Sequence, residues 1–320
     1  MPYSYELIHA ARALILSVLA RNQGGDVTEQ RFGGHWTEAK LSALRHYLGA
    51  FTTALKGKGF QLRYIDAFAG SGKFVPVRGD GRERRGSAQI ALDVSGFHRY
   101  HFIEKKSRRC KVLRQMAEAQ PGKGIEVHEG DANHHLVSIC RSTGWSGTRA
   151  VLFLDPYGMQ VEWQTLEAVA STGSIDVWYL FPLSGVTRQL ALNHDKLDVD
   201  KIRSLDRVLG TTSWREAFYS EPPNRDLFDA APTMERHADS LAIEAWVTSR
   251  LKKLFPLVEG PLVLRLGRHG KLDSGPALFG LYFLAANKSP AAQRAARSIA
   301  TDILRRLKKQ MGSRQADHDL

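Results

Sequence analysis

The stretch over residues 64–74, Tyr-Ile-Asp-Ala-Phe-Ala-Gly-Ser-Gly-Lys-Phe, constrains the fold of this chain more than any other. Tyr64 and Ile65 are typical of a buried strand, and Gly70 and Gly72 follow within a few residues. Glycine allows backbone angles and a closeness of approach that a Cβ atom would prevent. In open α/β sheets, ligands lie at the carboxyl ends of the strands, against such a turn. The pattern therefore predicts an α/β sheet with a nucleotide-like cofactor at this turn; a plain structural turn is the alternative.

Two common cofactor motifs do not fit this turn. The dinucleotide fingerprint GxGxxG needs a third glycine, whereas Gly72 is followed by Lys-Phe-Val-Pro. A phosphate loop needs GxxxxGK[ST], which the sequence around Lys73 lacks, and Pro76 delays any following helix. Both classes of cofactor site are therefore disfavoured.

Acidic residues end two later strand-like runs. The first run, over residues 101–103, ends at Glu104, whose carboxylate can accept both hydroxyls of a ribose. Alternatively, Glu104 only balances the two lysines that follow it. The second run, over residues 125–130, ends at Asp131. This side chain can meet the amine of an adenine ring, or it can cap the following helix.

A third run, over residues 150–154, is wholly apolar, as expected for a strand buried between two helical layers. It ends in Asp155, Pro156 and Tyr157. The exocyclic amine of a base is a poor nucleophile, and its hydrogens must be accepted as its lone pair turns toward an electrophile. The Asp155 carboxylate and the Pro156 carbonyl can accept them, and Tyr157 can stack on the base. The alternative is a turn that merely ends the strand.

The order of these motifs resembles that of S-adenosylmethionine-dependent methyltransferases of the Rossmann-like class. More closely, the chain resembles the three-Cys-motif partner (TcmP) family. The likeness extends from His35 to about Ile303, and includes Gly86-Ser87 and residues 176–182. Members of that family are encoded beside a three-Cys-motif protein, so the resemblance implies such a protein as a candidate partner.

The resemblance also implies roles for individual residues. Those expected to bind S-adenosylmethionine are Asp66, Phe68, Ala69, Gly70, Gly72, Glu104, Asp131 and Ala132. Glu104 is expected at the ribose, Asp131 at the adenine, and the glycine turn at the methionine end. Asp155, Pro156 and Tyr157 correspond to the catalytic Asn/Asp-Pro-Pro-aromatic signature of enzymes that methylate exocyclic amines. The chain has one proline fewer than that signature, which moves Tyr157 one place earlier.

Charge points to an anionic partner. The formal net charge of the 320 residues is +12, which favours a polyanion such as RNA or DNA over a neutral small molecule, although ordinary solubility charge is the alternative. Arg82, Arg84 and Arg85 follow the glycine turn in a polar, glycine-rich loop and are expected to contact phosphates. The alternative for this loop is a solvated insertion.

Other sequence features bear on localisation and on metal binding. The longest apolar runs are too short for a membrane span, and the apolar helix expected over residues 5–20 has no basic start, so a cytoplasmic protein is expected. Cys110 and Cys140 form no CxxC pair, and the sequence predicts no metal centre.

The sequence predicts a Rossmann-like α/β fold with a mostly parallel sheet, an antiparallel C-terminal strand and helices on both faces. We expect an N-terminal helical extension over 1–34 and a cofactor-binding core over 35–185. An insertion or helical subdomain is expected over 186–255, and the last strands with a tail helix over 256–320.

The predicted function is methylation of an exocyclic base amine in nucleic acid, with adenine as the first choice of base. A second hypothesis is a non-catalytic partner protein that keeps the fold, because a fold alone does not establish activity. A third is a hydrolase or nuclease, in which the acids at the strand ends would bind a metal ion.

Overall fold

The computed structural model describes residues 31–32, 35–76, 84–221, 234–265 and 275–313. The helix expected over residues 5–20 lies outside these ranges, and so does Arg82.

The described strands fall into one large sheet and two small ones. In chain order they are β1 Arg31–Phe32, β2 Gln61–Asp66, β3 Lys73–Pro76, β4 Arg84–Arg85, β5 Arg99–Glu104, β6 Gly124–Glu129, β7 Thr148–Leu154, β8 Ile175–Phe181, β9 Tyr219–Ser220, β10 Glu235–Arg236, β11 Leu257–Arg265 and β12 Ala277–Ala285. The small sheets are β1-β3-β4, beside the glycine turn, and β9-β10.

Helices connect most of these strands. In chain order they are α1 His35–Leu55, α2 Ser87–Asp93, α3 Ser107–Glu118, α4 Ala132–Ser142, α5 Trp163–Ser171, α6 Leu183–Gln189, α7 Val199–Leu209, α8 Trp214–Phe218, α9 Ser240–Leu254 and α10 Pro290–Ser313. Among the described residues, no helix combines the length and the apolar character that crossing a membrane requires.

The large sheet has seven strands in the order β11-β12-β8-β7-β2-β5-β6. Pairing is parallel from β8 through β6, whereas β12 is antiparallel to both of its neighbours. The reversed strand therefore lies second from the edge, between β8 and β11. This order confirms the predicted fold class, the Rossmann-like sheet of class I methyltransferases.

Apolar layers cover both faces of this sheet. On one face α1 and α10 supply residues such as Tyr47, Phe51 and Ile303. On the other face α4, α5 and α9 supply residues such as Leu136 and Leu166. The continuous apolar sequence of β7 follows from this arrangement, because its side chains meet a helical layer whichever way they point.

The segment predicted as an insertion contains helices and the antiparallel pair of two-residue strands β9 and β10, as far as the structure describes it. Leu205, Trp214, Phe218 and Ile243 from α7, α8 and α9 are buried in the same apolar cluster that lines one face of the large sheet. These elements therefore share the main core, and the predicted domain boundaries remain predictions.

Candidate functional site

The glycine turn has the left-handed geometry that its sequence predicts. Gly70 and Gly72 have φ angles of 62° and 77°. A Cβ atom at Gly72 would lie 2.5 Å from the Cε atom of Met116 on α3, which is the end of a flexible side chain, so the positive φ angle is the main reason for glycine here. The backbone N–H of Gly86 donates to the Gly72 carbonyl at 2.8 Å, which connects the turn to the start of α2.

Backbone hydrogen bonds beyond the strands hold the carboxyl ends of β2, β5 and β7 together. Ala67 N–H donates to the Phe153 carbonyl at 3.2 Å, and Ala69 N–H donates to the Ile103 carbonyl at 3.0 Å. The predicted site residues that follow these strands therefore lie together at the carboxyl ends of the strands.

Asp66 ends β2 and has no exposed surface. It accepts hydrogen bonds from the Tyr64 hydroxyl at 3.1 Å and the Phe68 N–H at 3.3 Å. Burial raises the pKa of this carboxyl to about 6, against the opposing effect of its hydrogen bonds. The contacts of Asp66 are thus made to the chain itself, and it organises the turn from the buried side.

Glu104 ends β5 and is 8% exposed. Its Oε1 atom accepts from the Lys106 backbone N–H at 2.8 Å. Its Oε2 atom lies 3.6 Å from Nη1 of Arg109, which is itself buried. The carboxylate is therefore fixed by an amide and a guanidinium at the strand end, where the sequence predicts ribose binding.

Asp131 follows β6 and caps α4. Its Oδ1 atom accepts from the backbone N–H groups of Asn133 at 2.9 Å and His134 at 3.3 Å. Asp131 is exposed, whereas Ala132 beside it is buried. The capping alternative is thus realised in the structure, and the predicted contact with adenine remains a prediction.

Asp155 forms an ion pair with Lys40 of α1 through Oδ2. The side chains are 25% and 10% exposed, respectively, so most of the pair is removed from water. Sequence reasoning missed Lys40. The available signal was its place on the helix: Lys40 precedes Leu44 by four residues and Tyr47 by seven, which puts a charged residue on the buried stripe.

Tyr157 differs from the residues around it because it is 54% exposed, whereas Pro156 is buried. Its hydroxyl accepts a hydrogen bond from Arg109 Nη1 at 3.2 Å, and its backbone N–H donates to Gln160 Oε1 at 2.9 Å. More than half of the residue is thus exposed to solvent, while its hydroxyl and its backbone N–H each form a hydrogen bond. Arg109 contacts Glu104 as well, and sequence reasoning missed this bridge.

The two arginines of the predicted phosphate-binding loop that the structure describes, Arg84 and Arg85, are exposed. Arg84 pairs with Glu38 of α1, and Arg85 pairs with Asp93 of α2. Exposed ion pairs contribute little free energy, so a phosphate can compete with these acids.

The four acids of the nuclease hypothesis do not form a metal-binding group. Asp66, Glu104 and Asp155 are each held by their own partners, and Asp131 caps a helix. Within the described ranges, the group of three or more metal-ligating side chains that does converge is His101, Glu126 and His128, at another place in the sheet.

Comparison with known proteins adds a likeness of fold only. No family model matches the chain, and no curated protein matches its sequence. The solved structure of LPL1258 from Legionella pneumophila is 10% identical over 82% of this chain and 92% of its own, with a TM-score of 0.45. Trm1 from Pyrococcus horikoshii, solved with S-adenosyl-L-methionine, is 11% identical over 82% of this chain and 58% of its own, with a TM-score of 0.37. At these scores the similarity carries no argument about activity.

Proposed function

We propose that this protein is an S-adenosylmethionine-dependent methyltransferase that modifies an exocyclic base amine in nucleic acid, with adenine as the first choice of base. The observation that carries the proposal is that three features lie together at the carboxyl ends of the central strands. The left-handed glycine turn follows β2, the buried Glu104 ends β5, and Asp155-Pro156-Tyr157 follows β7. Ligands of open α/β sheets bind at the carboxyl ends of the strands.

The cofactor is assigned to the turn and the two acids beyond it. We place its methionine end against the turn formed by Asp66, Phe68, Ala69, Gly70 and Gly72. We place its ribose at Glu104, whose carboxylate is anchored by Lys106 N–H and Arg109 and can accept hydroxyl hydrogens. Its adenine lies near Asp131 and Ala132.

Methyl transfer requires the amine nitrogen to attack the sulfonium methyl while its hydrogens are held. Bound S-adenosylmethionine would supply the methyl group: the N–C bond would form as the S–C bond breaks with its electrons staying on sulfur, and one amine proton would pass to solvent water. We assign the two hydrogens to the Asp155 carboxylate and the Pro156 carbonyl. Lys40 fixes Oδ2 of Asp155, so Oδ1 is the oxygen that we assign to the amine. Fixing these acceptors before the reaction lowers the barrier because no reorganisation is needed.

Tyr157 is assigned to the base. Its exposed ring is large enough to stack on a base, and the hydrogen bond from Arg109 restricts its orientation. Because the chain has one proline fewer than the amine-methylation signature, this ring lies closer along the backbone to the acceptor carboxylate than that signature has it.

Positive charge beside Tyr157 supports a nucleic-acid substrate. The helix that supplies the buried Arg109 also presents exposed Lys105, Lys106, Arg108 and Lys111 in and before its first turns. We propose that a phosphate backbone lies along this surface, where such contacts contribute affinity without reading sequence.

The finer assignment follows from the motif order. We propose that the chain is a TcmP-type protein that acts in the cytoplasm, with a three-Cys-motif protein as a partner. One observation favours the non-catalytic alternative: the Lys40 ammonium already neutralises Asp155, as it would in a purely structural pair.

A matched pair of variants tests the cofactor site. Glu104→Ala should weaken S-adenosylmethionine binding by about 1 to 3 kcal/mol, the usual cost of a lost charge-assisted contact, as measured by calorimetry. Glu118→Ala, an exposed acid on the next helix, should leave affinity unchanged. Equal S-adenosylmethionine affinities for the two variants would show that Glu104 is not in the cofactor site. If the wild-type protein did not bind S-adenosylmethionine, the proposed methyltransferase activity would be refuted.

The substrate is tested separately. Nucleosides from the RNA and DNA of a strain that lacks the protein should miss one amine-methylated base, by mass spectrometry. Purified protein and labelled cofactor should restore that base in nucleic acid from the same strain. A full complement of methylated bases in the deletion strain would refute the assignment of nucleic acid as the substrate.

A further inference from the structure

His101, Glu126 and His128 form a polar cluster on the two outermost parallel strands of the large sheet. His101 lies in β5, and Glu126 and His128 lie in β6, which is the edge strand. His101 is directly opposite Glu126, and His128 is opposite Ile103. Because side chains alternate along a strand, this register puts the two histidines and the glutamate on one face.

The three ligand atoms converge on one point. His101 Nδ1 lies 3.1 Å from His128 Nε2 and 3.4 Å from Glu126 Oε2. His128 Nε2 lies 3.9 Å from the same carboxylate oxygen. In a tetrahedral zinc site with bonds of about 2.0 to 2.2 Å, neighbouring ligand atoms are separated by roughly 3.3 to 3.6 Å. The observed separations bracket this value, so small shifts of the partly exposed Glu126 and His128 side chains would complete the geometry.

We propose that His101 Nδ1, His128 Nε2 and Glu126 Oε2 bind one zinc ion. Two imidazole nitrogens with a carboxylate oxygen are a donor set that zinc accepts, and three protein ligands leave the fourth position open to water or to another ligand. None of these residues belongs to the proposed methyltransferase site, so the proposal is independent of the proposed function.

The surroundings support the carboxylate as a ligand. Arg99 Nη1 donates to Glu126 Oε1 at 2.8 Å, which leaves Oε2 directed at the histidines. Hydrogen bonds of this kind orient ligands in metal sites. The His101 side chain is only 4% exposed, which fixes its ring, whereas His128 at 22% and Glu126 at 41% provide access from solvent.

Two neighbouring cations oppose a metal ion: Arg99, which contacts Glu126, and Arg63. Arg63 Nη1 lies 3.5 Å from His101 Nε2 and donates to Thr143 Oγ1 at 3.1 Å. When Nδ1 binds a metal, the ring proton is on Nε2, which faces this guanidinium. The positive charge of Arg63 therefore weakens zinc binding, and Arg63→Gln should tighten it severalfold.

The competing explanation is a polar triad without a metal, because the 3.1 Å between the two ring nitrogens is a hydrogen-bond distance and the carboxylate lies 3.4 and 3.9 Å from them. Tag-free, full-length protein treated with a chelator separates the two explanations. Titration with cobalt(II) should produce the visible absorption of a tetrahedral site at one ion per chain, and zinc should abolish it. Magnesium, which prefers oxygen ligands, should not compete.

Variants identify the ligands. His128→Ala should weaken zinc binding by at least about tenfold, as should Glu126→Gln. His134→Ala, an exposed histidine on the adjacent helix, should bind as wild type does. If His128→Ala does not fold, Glu126→Gln decides the result, because its side chain is exposed and close to isosteric. No tetrahedral cobalt spectrum, or equal zinc affinity in wild type and the folded ligand variant, would overturn the proposal.

Discussion

Asp66 and Asp155 stand at the ends of neighbouring strands, yet they occupy opposite environments. Asp66 has no exposed surface, and the chain's own hydroxyl and amide donate to it. Asp155 is one quarter exposed, and its partner is an ammonium group from a different helix. The two acids show that position at a strand end does not decide a carboxylate's role. Full burial closes Asp66 to any ligand, whereas the partial exposure of Asp155 leaves its carboxylate open to a substrate.

The largest expected effect follows from replacing the open carboxylate. Asp155→Ala should lower the rate of methyl transfer at least about a hundredfold, near the 3 kcal/mol typical of one lost transition-state contact. Cofactor affinity should not change, because Asp155 is not assigned to the cofactor. Single-turnover kinetics and calorimetry measure the two effects. The control is Asp195→Ala, which removes an exposed acid. An activity loss that only follows a lower melting temperature would give Asp155 a structural role.

Asp66→Asn should change the pH dependence of stability. The folded-state pKa of about 6 exceeds the ordinary value of 3.8, so the folded protein holds this proton more tightly than the unfolded chain does. The contribution of Asp66 to the free energy of unfolding is therefore most favourable below about pH 4. It is lost as the pH rises through about 6, which lowers the stability by about 3 kcal/mol. The asparagine variant lacks this loss. Urea unfolding should show its stability relative to wild type rising from pH 4 to pH 7; a constant difference would contradict the buried-acid explanation.

The Lys40–Asp155 pair can be isolated by a double-mutant cycle. Lys40→Met should lower the free energy of unfolding by about 1 to 3 kcal/mol, because it leaves a largely buried carboxylate without its cation. In the presence of Asp155→Ala, the same substitution should cost much less, which gives a coupling energy of 0.5 kcal/mol or more, within the roughly 0.5 to 3 kcal/mol range of contacting pairs. Additive losses in urea unfolding would mean that the two side chains act independently.

The smallest expected effect concerns the surface next to the glycine turn. Replacing Arg84 and Arg85 with serine should make the plot of log affinity for nucleic acid against log salt shallower by about 2 units, one for each lost phosphate contact. Cofactor binding should survive. Arg203→Ser, which removes an exposed arginine paired within α7, is the control. A slope equal to that of the control would favour the solvated-insertion alternative for this loop.

Local patterns were sufficient for the fold class and for the position of the glycine turn. Burial on both faces restricts β7 to apolar residues, so its sequence alone indicates a buried strand. Positive φ angles favour glycine, so the glycines after β2 indicate the turn.

Contacts between distant residues were not predictable in this way. Lys40 and Asp155 are separated by 115 positions, and Arg109 reaches Tyr157 across 48. Which helix faces which strand end depends on packing that no local pattern encodes. The cluster of His101, Glu126 and His128 needed the register of β5 and β6, which a shift of one residue would have broken.

Arg109 has a consequence for the order of events in the proposed reaction. One guanidinium nitrogen lies 3.6 Å from the carboxylate assigned to the ribose and 3.2 Å from the hydroxyl of the ring assigned to the base. Because one guanidinium bridges the two groups, a movement of Arg109 on cofactor binding at Glu104 would also move its contact with Tyr157. Thermodynamic reciprocity then requires that a bound base alter the affinity for the cofactor by the same factor. Under the proposed assignments, Arg109 would therefore couple the two binding steps.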